Sequence, residues 1–200
     1  FGRRLRVLDQ AGTRALLRSP RYYAAQEDAG AFHIHPLNYA HALARAAARQ
    51  GVRIHEASPA KAAARRGGVW EIATPAGHVR ARHVVWCVSA YDRAINPALG
   101  RAVLPVATYI GVTEPLGGRG AQVIATGAAI SDTRRAGDYY RLLPEDRILW
   151  GGRITTRISE PGRLAAMMRG DMLSVYPQLG HPRMEYAWRS EEHTSELQSL

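Results

Sequence analysis

An α/β first half joined to a β-rich, α+β second half is the fold class this sequence predicts, on three observations. Residues 35–56 read as a helix, a glycine and a short strand, the second half of a βαβ unit. Residues 84–88, VVWCV, are apolar at successive positions, which suits a strand covered on both faces in a parallel sheet. Beyond Asn96-Pro97 the chain turns into β-rich pieces divided by Gly and Pro turns, with one helical stretch, as in an antiparallel sheet with a helix against it. The expected boundaries are residues 1–98 for the first domain, 99–188 for the second, and 189–200 for a tail that belongs to neither.

Along the chain, LDQAGTRALLRS predicts a short helix with Leu8, Ala11, Ala15 and Leu16 on one side, and SPRYYAAQEDAG a loop. The clearest helix is HPLNYAHALARAAARQG. Pro36 suits its entry, Asn38 is a candidate cap, Gly51 a stop, and Leu37, Ala40, Leu43, Ala44 and Ala47 form an apolar stripe. Residues 52–56, VRIHE, alternate as a short strand. A strand around Val69 to Thr74, a turn at Pro75-Ala76-Gly77 and a returning strand through Val79 lead into Val84–Val88. In the second half AVLPVATYIGVTEPL, AQVIATGAAISDT, DYYRLL and RILWGGRI read as β-rich pieces. PGRLAAMMRGDMLSVYP predicts a helix with Leu164, Met167, Met168 and either Met172 or Leu173 on one face.

Composition narrows the class. The 200 residues, 46% hydrophobic and 22% charged, suit a globular chain with a sizeable core. No apolar run approaches the roughly 20 residues of a membrane helix, and FGRRLRVLDQ lacks the apolar core of a signal peptide. With no initiator Met, the chain is expected to begin mid-gene. Cys87 is the only cysteine, which excludes an intrachain disulfide and suits a reducing cytoplasm. The net charge of +10 comes from 26 arginines and one lysine, Lys61, spread along the chain instead of gathered into a stripe, so no nucleic-acid partner is expected. Arg189 to Ser199 matches the translation of a common sequencing adapter. The natural sequence is therefore expected to end near Trp188, and the acidic cluster around His193 is set aside as a metal site.

Four motifs raise chemical questions. ARHVVWCVSAY runs from an apolar strand into Cys87, Val88, Ser89 and Ala90; such small residues serve either a tight turn or a molecule lying across the strand end, where open α/β sheets bind ligands. His33 and His35 are spaced for a metal but have no evident third ligand, and polar residues at a helix entry are the better reading. GGRG at 117–120 follows a Pro-Leu turn and lacks the strand-to-helix setting of a phosphate loop. Tyr139, Tyr140 and Arg141 precede an expected hairpin, and Gly151, Gly152 and Arg153 follow its second strand. An Arg at a strand end can hold a carboxylate bidentately, and a Tyr can set a hydroxyl beside an apolar ring. The alternative is a surface Arg with two half-buried strand tyrosines.

Taken together, HPLNYAHALARAAARQGVRIHEASPA, GHVRARHVVWCVSAY, VLPVATYIGVTEPL, SDTRRAGDYYRLLPEDRILWGGR and YPQLGHPRMEYAW resemble, in order and spacing, the FAD-dependent amine and amino-acid oxidase family. Within it the resemblance is nearest to bacterial gamma-glutamylputrescine oxidase-like proteins. It implies an incomplete FAD/NAD(P)-binding Rossmann-like domain joined to an antiparallel-sheet substrate domain. By the same resemblance the strand end matching Cys87, Val88 and Ser89 passes close to FAD, with Cys-Val-Ser where the family commonly has Ala-Thr-Gly or Ala-Thr-Asn. Ala60 stands near the adenine in place of the usual Val. The glycine-rich dinucleotide turn is absent from this sequence, so the chain by itself is expected to hold FAD weakly and to be inactive.

The implied reaction is oxidation of the C–N bond of a small amine or amino acid to an imine, with dioxygen as acceptor and peroxide released. Tyr140 would border the substrate and Arg141 or Arg153 would hold a carboxylate; no general base is assigned. Two other readings stay open: a FAD-dependent dehydrogenase on the same fold with another acceptor, and a non-enzymatic basic binding module.

Overall fold

The computed structural model describes residues 5–88, 95–134, 137–155 and 161–194. Its elements are β1 (Leu5–Leu8), α1 (Gln10–Leu16), β2 (Ala25–Asp28), α2 (Pro36–Arg49), β3 (Ala62–Arg66), β4 (Val69–Thr74), β5 (Gly77–Ala81), α3 (Pro97–Ala102), β6 (Leu104–Thr113), α4 (Arg119–Val123), β7 (Ile130–Ser131), β8 (Tyr139–Leu143), β9 (Arg147–Thr155), α5 (Pro161–Val175) and β10 (Met184–Thr194). They fall into two compact units, residues 1–33 with 106–190, and residues 34–105 with 191–200.

The first unit is built on a five-stranded sheet of order β10-β6-β9-β8-β7, in which β6–β9, β9–β8 and β8–β7 are antiparallel. Helix α5 packs on it because Leu164, Met168, Met172 and Val175 recur every three or four residues and form one stripe. Between stripe and sheet lie Tyr109, Tyr140, Ile148, Trp150 and Tyr176, all essentially buried. Of the two residues left open for that helix face, Met172 is the buried one.

Residues 5–33 join this unit. Asp9 caps α1 by accepting from the Gly12 N–H at 2.8 Å, and Thr13 and Leu17 turn inward in place of the expected Ala11 and Ala15. Leu17 bridges Ile124, and the Ser19 hydroxyl donates to the Val175 carbonyl at 2.5 Å. The expected loop at 19–30 contains a strand, β2, paired antiparallel with β1. Its AQED sequence has no apolar alternation to announce it.

The second unit holds α2, the meander β3-β4-β5 and α3. Helix α2 has the expected bounds, with Pro36 in its first turn, and Gly51 just beyond its end adopts φ +84°. Its cap is His35, whose Nδ1 accepts from the Asn38 N–H at 3.3 Å, so Asn38 supplies the donor and not the cap. The stripe of α2 is not buried: Leu37 and Leu43 are 58% and 52% exposed. The β4–β5 hairpin turns through Pro75-Ala76, and β3 joins β4 through Gly67-Gly68, both at positive φ as a two-residue turn demands.

Two expected strands do not form. Residues 52–56 are irregular, and so are residues 83–88. An apolar run reads as a strand covered on both faces only where neighbouring strands supply hydrogen bonds. Here none of the described strands pairs with Val84–Val88, and only Val84, Trp86 and Val88 are half-buried. Strand β10 runs through Thr194, past Trp188, where the adapter reading expects the natural sequence to end. No helix among the described residues is long and apolar enough to cross a membrane.

Candidate functional site

Strand β8 decides which of the expected substrate residues can act together. Successive side chains of a strand point to opposite faces, so Tyr140 and Arg141 cannot line the same side. Tyr140 faces α5. Its ring stacks on Trp150 with centroids 4.2 Å apart and meets Tyr176 edge-on at 5.8 Å. Its hydroxyl donates to the Tyr22 hydroxyl at 2.9 Å and lies 3.0 Å from the Tyr176 hydroxyl. Burial pushes the Tyr140 and Tyr176 phenols above the usual tyrosine range. Trp150, Tyr140 and Tyr176 are essentially buried, which marks this face as packed core, and the buried Trp150 Nε1–H has no hydrogen-bond partner among the described residues.

Arg153 is turned to the same side by a β-bulge. Tyr109 pairs with Gly152 and Thr108 with Ile154, which leaves Arg153 as the extra residue, at φ +59°. The bulge aims its guanidinium at α5, where Nε and Nη2 donate to the two Asp171 carboxylate oxygens at 2.6 and 2.7 Å. The fork that could hold a substrate carboxylate is therefore occupied by one from its own chain.

Arg141 stands on the other face. It is half-buried, opposite Leu149, and makes no ion pair or hydrogen bond among the described residues. Tyr139 shares that face and lies opposite Gly151. A Cβ added to Gly151 would fall 2.0 Å from Tyr139 Cε2, so the ring lies over the glycine. Tyr139 and Arg141 are thus the pair the sheet brings together.

The GGRG turn is not an anion cradle. Gly117 and Gly118 take positive φ and open α4, but the Asp146 carboxylate accepts from the N–H groups of Gly118, Gly120 and Ala121 at 2.5, 3.1 and 2.8 Å. Asp146 reaches them from the β8–β9 loop, where Glu145 and Asp146 both hold positive φ. A Cβ on Gly120 would meet Asp146 Oδ1 at 2.7 Å, so the turn is closed by the chain itself.

The residues expected near a flavin lie in the second unit. Ala60 is half-buried in the irregular stretch before β3, Cys87 is exposed and Val88 half-buried, while Ser89 lies outside the described residues. Trp86 anchors this stretch by meeting Trp70 of β4 edge-on at 6.3 Å. Ala60 and Cys87 carry short side chains, so neither bars a close approach to its own stretch of backbone. No group of three or more metal-ligating side chains occurs among the described residues. Sequence reasoning missed Tyr22 and Tyr176 as partners of Tyr140, and Asp171 as the partner of Arg153. Nothing in their local sequence marks contacts made across such separations.

Comparison with known proteins agrees with the fold and extends it. The model of a family described as FAD dependent oxidoreductase matches residues 1–192. The Haemophilus influenzae protein named probable oxidoreductase OrdL is 32% identical over 189 residues, covering 92% of this chain and 43% of that protein. The Escherichia coli gamma-glutamylputrescine oxidoreductase is 30% identical over 188 residues, 93% of this chain and 44% of that protein. Among solved structures, glycine oxidase from Geobacillus kaustophilus aligns with a TM-score of 0.75 at 18% identity, over 98% of this chain and 52% of that one. NikD, an amino acid oxidase of nikkomycin biosynthesis, aligns with a TM-score of 0.71 at 13% identity, over 96% of this chain and 53% of that one. The chain spans less than half the length of these curated relatives.

Proposed function

The chain belongs to the FAD-dependent oxidoreductase family, and on that premise we propose that the protein carrying it oxidises the C–N bond of a small amine or amino acid, with dioxygen as acceptor. The relatives named above, a gamma-glutamylputrescine oxidoreductase and a glycine oxidase, support that substrate class. In this reading the 34–105 region belongs to a Rossmann-like FAD-binding domain, with Ala60, Cys87, Val88 and Ser89 against the cofactor. The sheet of the other unit carries the substrate face. A cytoplasmic location is part of the same reading. FAD, when bound, supplies the two-electron acceptor; the part of the protein is to bind the amine, orient it and exclude competing reactions.

One observation carries the proposal furthest: the half-buried Arg141 guanidinium, with no partner among the described residues. Arginine donors in such a position match a carboxylate bidentately. Arg141 is therefore the proposed carboxylate holder. Arg153 would first have to leave Asp171, and Tyr140 belongs to the core behind the sheet. In the full-length flavoprotein, Arg141→Gln is expected to raise KM for an acidic amine about 10- to 100-fold, the loss of a charge-assisted hydrogen-bonded pair. An unchanged KM removes Arg141 from the site. Amine-dependent flavin reduction without oxygen uptake or peroxide would favour the dehydrogenase reading over the oxidase.

A further inference from the structure

We infer that the edge-on contact between Trp86 and Trp70 is a latch that fixes the stretch leading into Cys87 and Val88, which makes both tryptophans positioning residues for the flavin nucleotide. This deepens the proposed placement of FAD against Cys87 and Val88 and rests on it. Three observations within the second unit converge. Residues 83–88 belong to no strand, and Val84 to Val88 make no backbone hydrogen bond among the described residues. Burial nevertheless alternates along them: Val84, Trp86 and Val88 are half-buried, while Val85 and Cys87 are exposed. The rings of Trp86 and Trp70 meet with centres 6.3 Å apart and planes at 79°.

An extended segment without ladder hydrogen bonds has to be held by its side chains, and the largest one here is Trp86. The register of the meander places Trp70 to receive it. Trp70 lies opposite Arg65 on β3 and Ala81 on β5, on the face that also carries Ala63, Ile72 and Val79. Ala81 ends β5 and carries only a methyl group, so the chain leaving it can fold back and set Trp86 against Trp70. Edge-on geometry fixes how two rings are oriented as well as burying them. Cys87 follows Trp86 directly, so the latch sets where the backbone of Cys87 and Val88 lies. A nucleotide meeting a stretch already in place pays no ordering cost there. With the latch open the same stretch has to be ordered on binding, and affinity falls with the fraction that is in place.

The test is a double-mutant cycle in the full-length protein, with Trp86→Ala, Trp70→Ala and both together, read as the Kd of FAD by fluorescence titration of the apoprotein. Each single variant should weaken FAD binding about 3- to 10-fold, the range an aromatic pair accounts for. The double variant should be no weaker than the weaker single one, because either change opens the same latch. Trp86→Phe, which keeps a ring against Trp70, should bind FAD as the wild type does. Amide hydrogen exchange across residues 82–88 of the FAD-free protein should be faster in both alanine variants and unchanged elsewhere. Faster exchange throughout identifies a variant that has lost its fold; Trp86→Leu then replaces it, and should lose affinity where Trp86→Phe does not. The inference is overturned if the alanine variants bind FAD like the wild type, if their effects multiply in the double variant, or if Trp86→Phe loses as much as Trp86→Ala. Alkylation of Cys87 separates the two readings. If bound FAD does not slow it, the cofactor lies elsewhere and the placement falls together with the inference. If FAD shields Cys87 while the alanine variants bind it normally, the placement stands and the latch falls.

Discussion

Helices α2 and α5 are nearly equal in length, 14 and 15 residues, and both carry an apolar stripe, yet their environments differ. On α5, Leu164, Met168, Met172 and Val175 are closed off by the sheet and by Tyr176. On α2 no residue is buried, and Leu37, Tyr39 and Leu43 are all more than half exposed. A stripe announces which face of a helix seeks cover, because its spacing matches the helical repeat. Whether cover exists depends on what the rest of the chain brings to it. The stabilising burial of the described residues is therefore concentrated in the unit that carries the proposed substrate face.

The largest expected effect breaks the comparison outright if it fails. Met168→Ala should destabilise the chain by about 2–5 kcal/mol, the transfer loss plus the cavity left behind. Leu43→Ala on the exposed stripe should change stability by less than about 0.5 kcal/mol. Urea unfolding of both variants measures this, and equal losses would mean that the α2 stripe is covered in solution.

An intermediate effect sharpens the contrast through pH. The folded Tyr140 and Tyr176 phenols are held above the ordinary tyrosine value of 10.0 by burial, and both are essentially inaccessible. Their contribution is fully present below about pH 10. It is lost as pH rises further, because the unfolded chain releases protons that the folded one retains. The slope steepens toward about 1.4 kcal/mol per pH unit for each phenol as the unfolded phenol becomes fully ionised. Unfolding followed from pH 9 to 11 should show this decline in the wild type and a flatter curve in a Tyr140→Phe/Tyr176→Phe double variant.

The smallest effect concerns the edge of the packed unit. Arg153→Gly should cost less than about 1 kcal/mol. It removes a pair to Asp171 that is part-exposed, and at the same time relieves the left-handed backbone at φ +59°. A loss well above that in urea unfolding would show that the fork to Asp171 holds the bulge in place.

Much of the local structure was legible in the residues. The bounds of α2, the β4–β5 hairpin with its Pro75-Ala76 turn, and the buried stripe of α5 all follow from period, turn chemistry and end signals. The failures have a common cause. Residues 52–56 and 84–88 carry strand-like composition, but a strand exists only where another supplies its hydrogen bonds, and that partner is not encoded locally. Strand β2 fails in the opposite sense: AQED has little strand propensity and is held by pairing with β1.

The candidate site divides in the same way. The sequence by itself determined that Tyr139, Tyr140 and Arg141 are consecutive before an expected hairpin, and it set Tyr140 and Arg141 at one pocket, which the alternation of a strand forbids. Only the tertiary structure decided which side is core. That choice was made by α5, Tyr22 and Tyr176, which close over Tyr140 and Trp150, and by the bulge that turns Arg153 toward Asp171. The physical reason is that alternation along a strand is local geometry, fixed by covalent structure, whereas burial is a property of distant segments meeting.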